Sequence, residues 1–153
     1  MIASPHISKH AVSRVKDKVP VPARCRYCGS DVTLVDNKII YGKSFHSWPY
    51  AYLCQGKGCG AYVGVHPNTA VPLGTLADKP LRMARKCAKG RFIALMKEKS
   101  WPRKRAYAWL ASQLHIPVRD CHFGWFEKDM LDKVATAVLK ESSGWLSDFN
   151  LGE

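Results

Sequence analysis

Acidic residues are scarce in this chain of 153 residues, with 12 Asp and Glu against 24 Lys and Arg, and long apolar runs are missing altogether. No stretch approaches the ~20 apolar residues of a membrane span, so no membrane partner is expected. Residues 1–20 carry scattered charges and no apolar core of a secretory signal, which makes a reducing, cytoplasmic setting the expectation. The chain has no phosphate-binding glycine-rich loop and no order of Ser, His and Asp that argues for a triad. Carboxylates are so few in the basic part that a paired-acid site has little to draw on. A catalytic role is therefore not the expectation, and no catalytic residue is assigned.

What is present is positive charge, unevenly spread. Residues 1–30 carry a net +5, residues 31–75 only +1, residues 76–110 have 11 basic side chains against 2 acidic, and residues 111–153 sum to −3. A folded segment at +9 repels itself, a cost that a polyanion such as nucleic acid relieves. The bland alternative is a solvated basic face that only keeps the protein soluble.

Four of the six cysteines come in two short loops, Cys25-Arg26-Tyr27-Cys28-Gly29 and Cys54-Gln55-Gly56-Lys57-Gly58-Cys59-Gly60. Two cysteines on a tight turn deliver two soft ligands with little loop entropy, and two such loops satisfy a tetrahedral zinc ion. The glycine after each loop lets the backbone turn with positive φ. The alternative, two disulfides, needs an oxidising compartment. Cys25, Cys28, Cys54 and Cys59 are thus the expected ligands of one structural zinc, closed to water and contributing on the order of 10–16 kcal/mol of folding free energy. His46 and His66 are rival ligands, read as ordinary polar residues beside four thiolates. Cys87 reads as a buried helix residue and Cys121 as a loop thiol.

Residues 1–21 have no clear period and read as a basic arm that passes into the next segment through the extended Val19-Pro20-Val21-Pro22. Residues 22–75 form the expected zinc ribbon. In it, Asp31–Val35 and Lys38–Tyr41 flank Asp36-Asn37 as a two-residue hairpin, and Gly60–Val65 is the closing strand. Phe45, His46, Trp48, Tyr50 and Tyr52 lead into Cys54, as packing for a small core or as a base-stacking surface with Lys43 and Lys57 beside it.

Residues 76–153 read as a three-helix unit. Asp78 is a good N-cap, and Leu81, Ala84, Ala88, Phe92 and Leu95 mark an apolar stripe, with Gly90 a place where the helix can bend. Arg82, Arg85, Lys86 and Lys89 gather on an adjoining face as a ridge for phosphates. Ser100 is expected to cap a second helix led by Arg103, Lys104 and Arg105, whose end, Leu110–Ile116, looks like the first helix of a helix-turn-helix. A third helix over Glu127–Glu141 opens with Glu127, Asp129 and Asp132, which suits the helix dipole but repels DNA. The C-terminal Trp145, Leu146 and Phe149 offer a contact surface or pack back onto the helices. The whole is an α+β architecture, a zinc ribbon of hairpin plus closing strand followed by three helices.

Several blocks together carry a resemblance: Cys25-x-x-Cys28-Gly29, Cys54-x4-Cys59-Gly60-Ala61-Tyr62-Val63-Gly64 with His66-Pro67, Pro72–Ala77, Tyr107-x-Trp109-Leu110-Ala111 and His122-Phe123-Gly124-Trp125-Phe126. Over roughly residues 22–138 the chain resembles a family of phage and prophage proteins described only as containing a zinc-finger domain. The resemblance implies cysteine-bound zinc and a phage or prophage origin, with the host cytoplasm as its setting. Lys89 stands near where the family often has a histidine, so the resemblance implies no catalytic or metal histidine on that helix.

Charge and metal together lead to the expectation of a non-catalytic zinc-ribbon protein that binds nucleic acid, DNA rather than RNA, through Arg82, Arg85, Lys86, Lys89, Arg103, Lys104 and Arg105. Two alternatives stand beside it. One is a small phage protein that docks on a host protein such as RNA polymerase or replication machinery. The other is a zinc-stabilised nuclease using His66 with Asn68 or His122 with Asp120 around Mg²⁺.

Overall fold

A computed structural model describes residues 5–142. The Trp145, Leu146 and Phe149 surface expected from the sequence lies outside the described residues. The fold is α+β, with three antiparallel strands and five α-helices among those residues. The chain divides between Pro80 and Leu81 into two compact units.

The first unit begins with a helix where the sequence shows no period. Helix α1 (Lys9–Arg14) starts at Ser8, whose side chain accepts a hydrogen bond from the Ala11 N–H. The Ser8 N–H donates to the Asn68 carbonyl and Ala11 is buried, so this part of the basic arm is docked on its own unit. Strands β1 (Val32–Asp36), β2 (Tyr50–Cys54) and β3 (Tyr62–Gly64) form a sheet in that order. Val32 pairs with Cys54, Leu34 with Tyr52, and Tyr52 with Val63. Alternation puts Val32, Leu34, Tyr52, Cys54 and Val63 on one face. There they pack with Cys25, Ala61, Val65 and Leu76 as the unit's core.

The hairpin expected at Asp36-Asn37 does not form. Residues Lys38–Tyr41 are a helical turn, α2, and the true partner of β1 is β2. The turn residues themselves are the reason. The Asp36 carboxylate accepts from the Lys38 N–H at 2.8 Å, and Asn37 takes a right-handed helical conformation instead of the left-handed one a two-residue hairpin needs. Gly42, at φ +85°, ends the turn.

Helix α3 (Lys79–Glu98), all but its first two residues in the second unit, runs unbroken through Gly90, and within that unit α4 spans Arg103–Leu114 and α5 spans Lys128–Glu141. The expected stripe is found, with Leu81, Ala88, Phe92 and Leu95 buried. Phe92 meets Tyr107 and Phe123, and Phe123 meets Phe126, so a chain of aromatic contacts joins α3, α4 and the segment before α5. Ser100 is not the cap of α4. It takes φ +54° and ends α3, with its N–H on the Lys97 carbonyl and the Trp101 N–H reaching back to Met96. That left-handed closure satisfies the carbonyls of the last turn and leaves Pro102 as the N-cap of α4. His115, at φ +56°, closes α4 the same way. Two 3₁₀ turns, Val118–Asp120 and Phe123–Trp125, then separate α4 from α5. A helix-turn-helix joins its helices by a turn of about 3–4 residues, so the expected likeness ends at α4.

Candidate metal centre

The sheet register assembles the metal site. Strand β1 starts just after the first cysteine loop and β2 ends on Cys54, so pairing Val32 with Cys54 sets the two loops side by side. The Gln55 N–H donates to the Asp31 carbonyl at 2.8 Å and ties them together. Within the first loop the Cys25 N–H bonds the Ser30 carbonyl and the Gly29 N–H bonds the Cys25 carbonyl. Gly29 and Gly60 stand at φ +76° and +70°, the left-handed turns expected of them.

The four sulfurs of Cys25, Cys28, Cys54 and Cys59 lie within 4.8 Å of one another. Cys25 and Cys59 are 3.7 Å apart, Cys28 and Cys54 3.4 Å. Tetrahedral coordination with Zn–S bonds of about 2.3 Å puts sulfurs about 3.8 Å apart, so one zinc ion fits among them. Backbone N–H groups of Tyr27 and Gly56 point at the sulfurs of Cys25 and Cys54, at 3.4 and 3.2 Å. They favour thiolate over thiol.

The electrostatics divide the quartet. The Ser30 hydroxyl and N–H bring Cys28 down to about 6. On Cys25 burial opposes the charge, but the N–H groups of Cys28 and Tyr27 and the neighbouring sulfurs outweigh it and hold the thiol below its ordinary value. Burial pushes Cys54 up to about 12. At Cys59 the Ala61 N–H pulls downward, yet burial with Cys25 and Cys28 alongside leaves it raised. A bound dication supplies the charge that lets all four ionise.

Sequence reasoning missed Gly56. A Cβ there would stand 2.6 Å from the Cys28 sulfur, 2.8 Å from the Ser30 hydroxyl and 3.2 Å from the Cys54 sulfur. Nothing in the spacing distinguishes it from any loop glycine, because the close approach comes from the other loop. His46, exposed at φ +68°, and His66, in the turn after β3, stay outside the quartet. So do Cys87 and Cys121. Cys87 is exposed on α3, contrary to expectation, because it lies on the solvent side of the stripe. Cys121 is buried and burial pushes its thiol up to about 11.

The expected phosphate ridge loses one member. Arg85 is buried, its Nε donating to the Phe126 carbonyl at 3.0 Å, while Lys86 and Lys89 are exposed and Arg82 half-buried. Arg103, Lys104 and Arg105 are exposed at the start of α4, with Arg103 over the Tyr107 ring at 4.7 Å and Arg105 over Trp101 at 5.5 Å. Of the residues considered for a nuclease, Asn68 holds a turn at φ +61° and His122 stacks on Trp125 at 4.3 Å. Among the described residues the cysteine quartet is the convergent group of metal-ligating side chains. No helix among them is long and apolar enough to cross a membrane.

Nothing matches among curated proteins or among solved structures. A family model described as a zinc-finger-containing domain matches residues 21–141, which takes in all four cysteines and most of each unit. With its sulfurs gathered at the spacing one zinc ion requires, the chain belongs to that zinc-finger-containing family.

Proposed function

We propose that this protein is a non-catalytic nucleic-acid-binding protein, with DNA preferred to RNA, encoded by a phage or prophage and acting in the host cytoplasm. The observation that carries the reading is how the +9 segment is laid out. Arg82, Lys86 and Lys89 recur at spacings of 4 and 3, one strip of α3 about 10 Å long. Arg103, Lys104 and Arg105 crowd the first turn of α4, where no acidic residue is present and the helix dipole already disfavours cations. Such an arrangement costs stability unless phosphates offset it. The zinc ion is structural in this reading, fixing the ribbon.

A second reading has its own support. A groove of about 530 Å³ in the second unit is lined by Leu95, Ala135, Val138 and the exposed Leu139, an apolar surface suited to a host protein. Salt separates the two. Binding of a labelled 20-base-pair DNA, followed by fluorescence anisotropy from ~50 to ~200 mM salt, should weaken by orders of magnitude if phosphates dominate. Absence of binding to both the duplex and a single strand of the same sequence at the lowest salt removes the nucleic-acid reading.

A further inference from the structure

We propose that the face of the ribbon sheet opposite its core is a stacking platform for an unpaired nucleobase, so that the nucleic acid meets residues 37–73 as a single strand. The proposal rests on the nucleic-acid reading for its class of ligand and adds a site to it.

The register builds the platform. On that face the small Ala51 pairs with Gly64, over which the Leu73 side chain leans, and Leu53 pairs with Tyr62. A cavity of about 670 Å³ is lined there by Ala51, Gly64 and Leu73, within the size range of small-molecule sites. Its walls are aromatic. The Tyr41 ring stands edge-on to Phe45 at 5.2 Å and to Tyr62 at 5.9 Å, with interplanar angles of 87° and 89°. A flat heterocycle laid on one of these rings meets the edge of its neighbour, the geometry aromatic groups prefer.

The rings are not there to fill the core. The aromatic run divides: Trp48 donates to the Thr69 carbonyl and Tyr52 to the Ala70 carbonyl, each tethered to the turn beyond β3, and Tyr52 belongs to the core. Tyr41 and Phe45 instead remain 47 % and 38 % exposed. They are nevertheless held in place. The buried Asn37 side chain donates to the Phe45 carbonyl at 3.0 Å and accepts from the Phe45 N–H at 2.9 Å, and the Tyr41 hydroxyl donates to that of Tyr62 at 3.1 Å. A pre-arranged aromatic surface loses little entropy on binding.

Charge selects the ligand. The Lys43 ammonium lies 5.2 Å over the Phe45 ring, and Lys38 is exposed on α2. The acid nearby, Asp36, is engaged by the Lys38 N–H and the Ser44 hydroxyl. Cations beside stacked rings suit a base with its phosphates. A proline-rich peptide also uses aromatic grooves, but gives a lysine nothing to neutralise.

The test uses the full zinc-bound chain and four labelled probes: a twelve-nucleotide oligo(dT), the same backbone without bases, a duplex of equal length and a proline-rich peptide. Expected is oligo(dT) bound about ten-fold or more tighter than the abasic strand. Tyr41→Ala and Phe45→Ala should bring that ratio to about one, and Tyr41→Phe should keep it. Stoichiometric zinc in each variant establishes that its ribbon has folded. Equal binding of oligo(dT) and abasic strand, or a ratio indifferent to both alanine variants, overturns the platform. If all three nucleic acids bind alike with a steep salt dependence, the nucleic-acid reading stands and the platform alone falls. If none of them binds, both fall, and capture of the peptide alone would reassign the groove to proline-rich partners.

Discussion

The guanidinium of Arg85 donates through Nε to the Phe126 carbonyl at 3.0 Å, across 41 residues of sequence and inside the second unit. An arginine that the sequence places on a phosphate ridge is a structural tie between α3 and the segment leading into α5.

Arg85→Ala should therefore destabilise the second unit by about 2–3 kcal/mol, since it removes a charge-assisted hydrogen bond and strands a buried carbonyl. Thermal or urea unfolding followed by helical circular dichroism measures this. Lysine at position 85 lacks the Nε donor and should recover only part of the loss.

Lys86→Ala with Lys89→Ala should do the opposite. Both side chains are exposed, so stability should move by no more than about 0.5 kcal/mol. The slope of log affinity for DNA against log salt should flatten by up to about 2, if each lysine neutralises one phosphate. An unchanged slope would take this strip of α3 out of the interface.

Purified protein should carry one zinc per chain, and Cys54→Ser should abolish it. Thiolates bind the metal and protons compete for them, so zinc should be released as pH falls, with affinity rising toward neutral pH. Metal analysis after dialysis at stepped pH tests the sign. Chelation should collapse the three-stranded sheet, whose core includes Cys25 and Cys54 themselves.

Gly56→Ala should weaken zinc binding about ten- to a hundred-fold. Its Cβ would press on the Cys28 sulfur at 2.6 Å, an atom the metal holds in place, and relieving such overpacking costs about 1–3 kcal/mol. Competition with a zinc chelator reads the difference. Wild-type affinity in the variant would show that the two loops can part without loss of the tetrahedron.

With zinc bound, a maleimide should label one thiol rapidly, Cys87, which is exposed on α3. Cys121, buried and raised to about 11, holds only about one thiolate in a thousand at pH 8 and should react upon unfolding. Mass spectrometry of the labelled peptides distinguishes them.

The parts of this structure that were legible in the sequence are those decided over a few residues. Each cysteine pair, with its positive-φ glycine, is a local turn, and the stripe Leu81, Ala88, Phe92, Leu95 is a local period. Asp36-Asn37 misled because one dipeptide serves both a hairpin and the start of a helical turn, and the choice fell to β2 as the better partner of β1. Ser100 misled for a similar reason: a hydroxyl residue between two helices can begin one or end the other, and here it ends α3.

By itself the sequence determined four sulfur ligands for one metal and a strongly cationic stretch on helices, because ligand chemistry, spacing and charge do not depend on what lies across the fold. Only the tertiary structure decided that Arg85 turns inward while Lys86 stays in water, since that rests on the Phe126 carbonyl, 41 residues away in the chain. It also decided that Tyr41, Phe45 and Tyr62 line an open cavity while Tyr52 enters the core. Which face of a sheet a ring joins follows from strand register, and register is fixed by pairing between strands rather than by either strand alone.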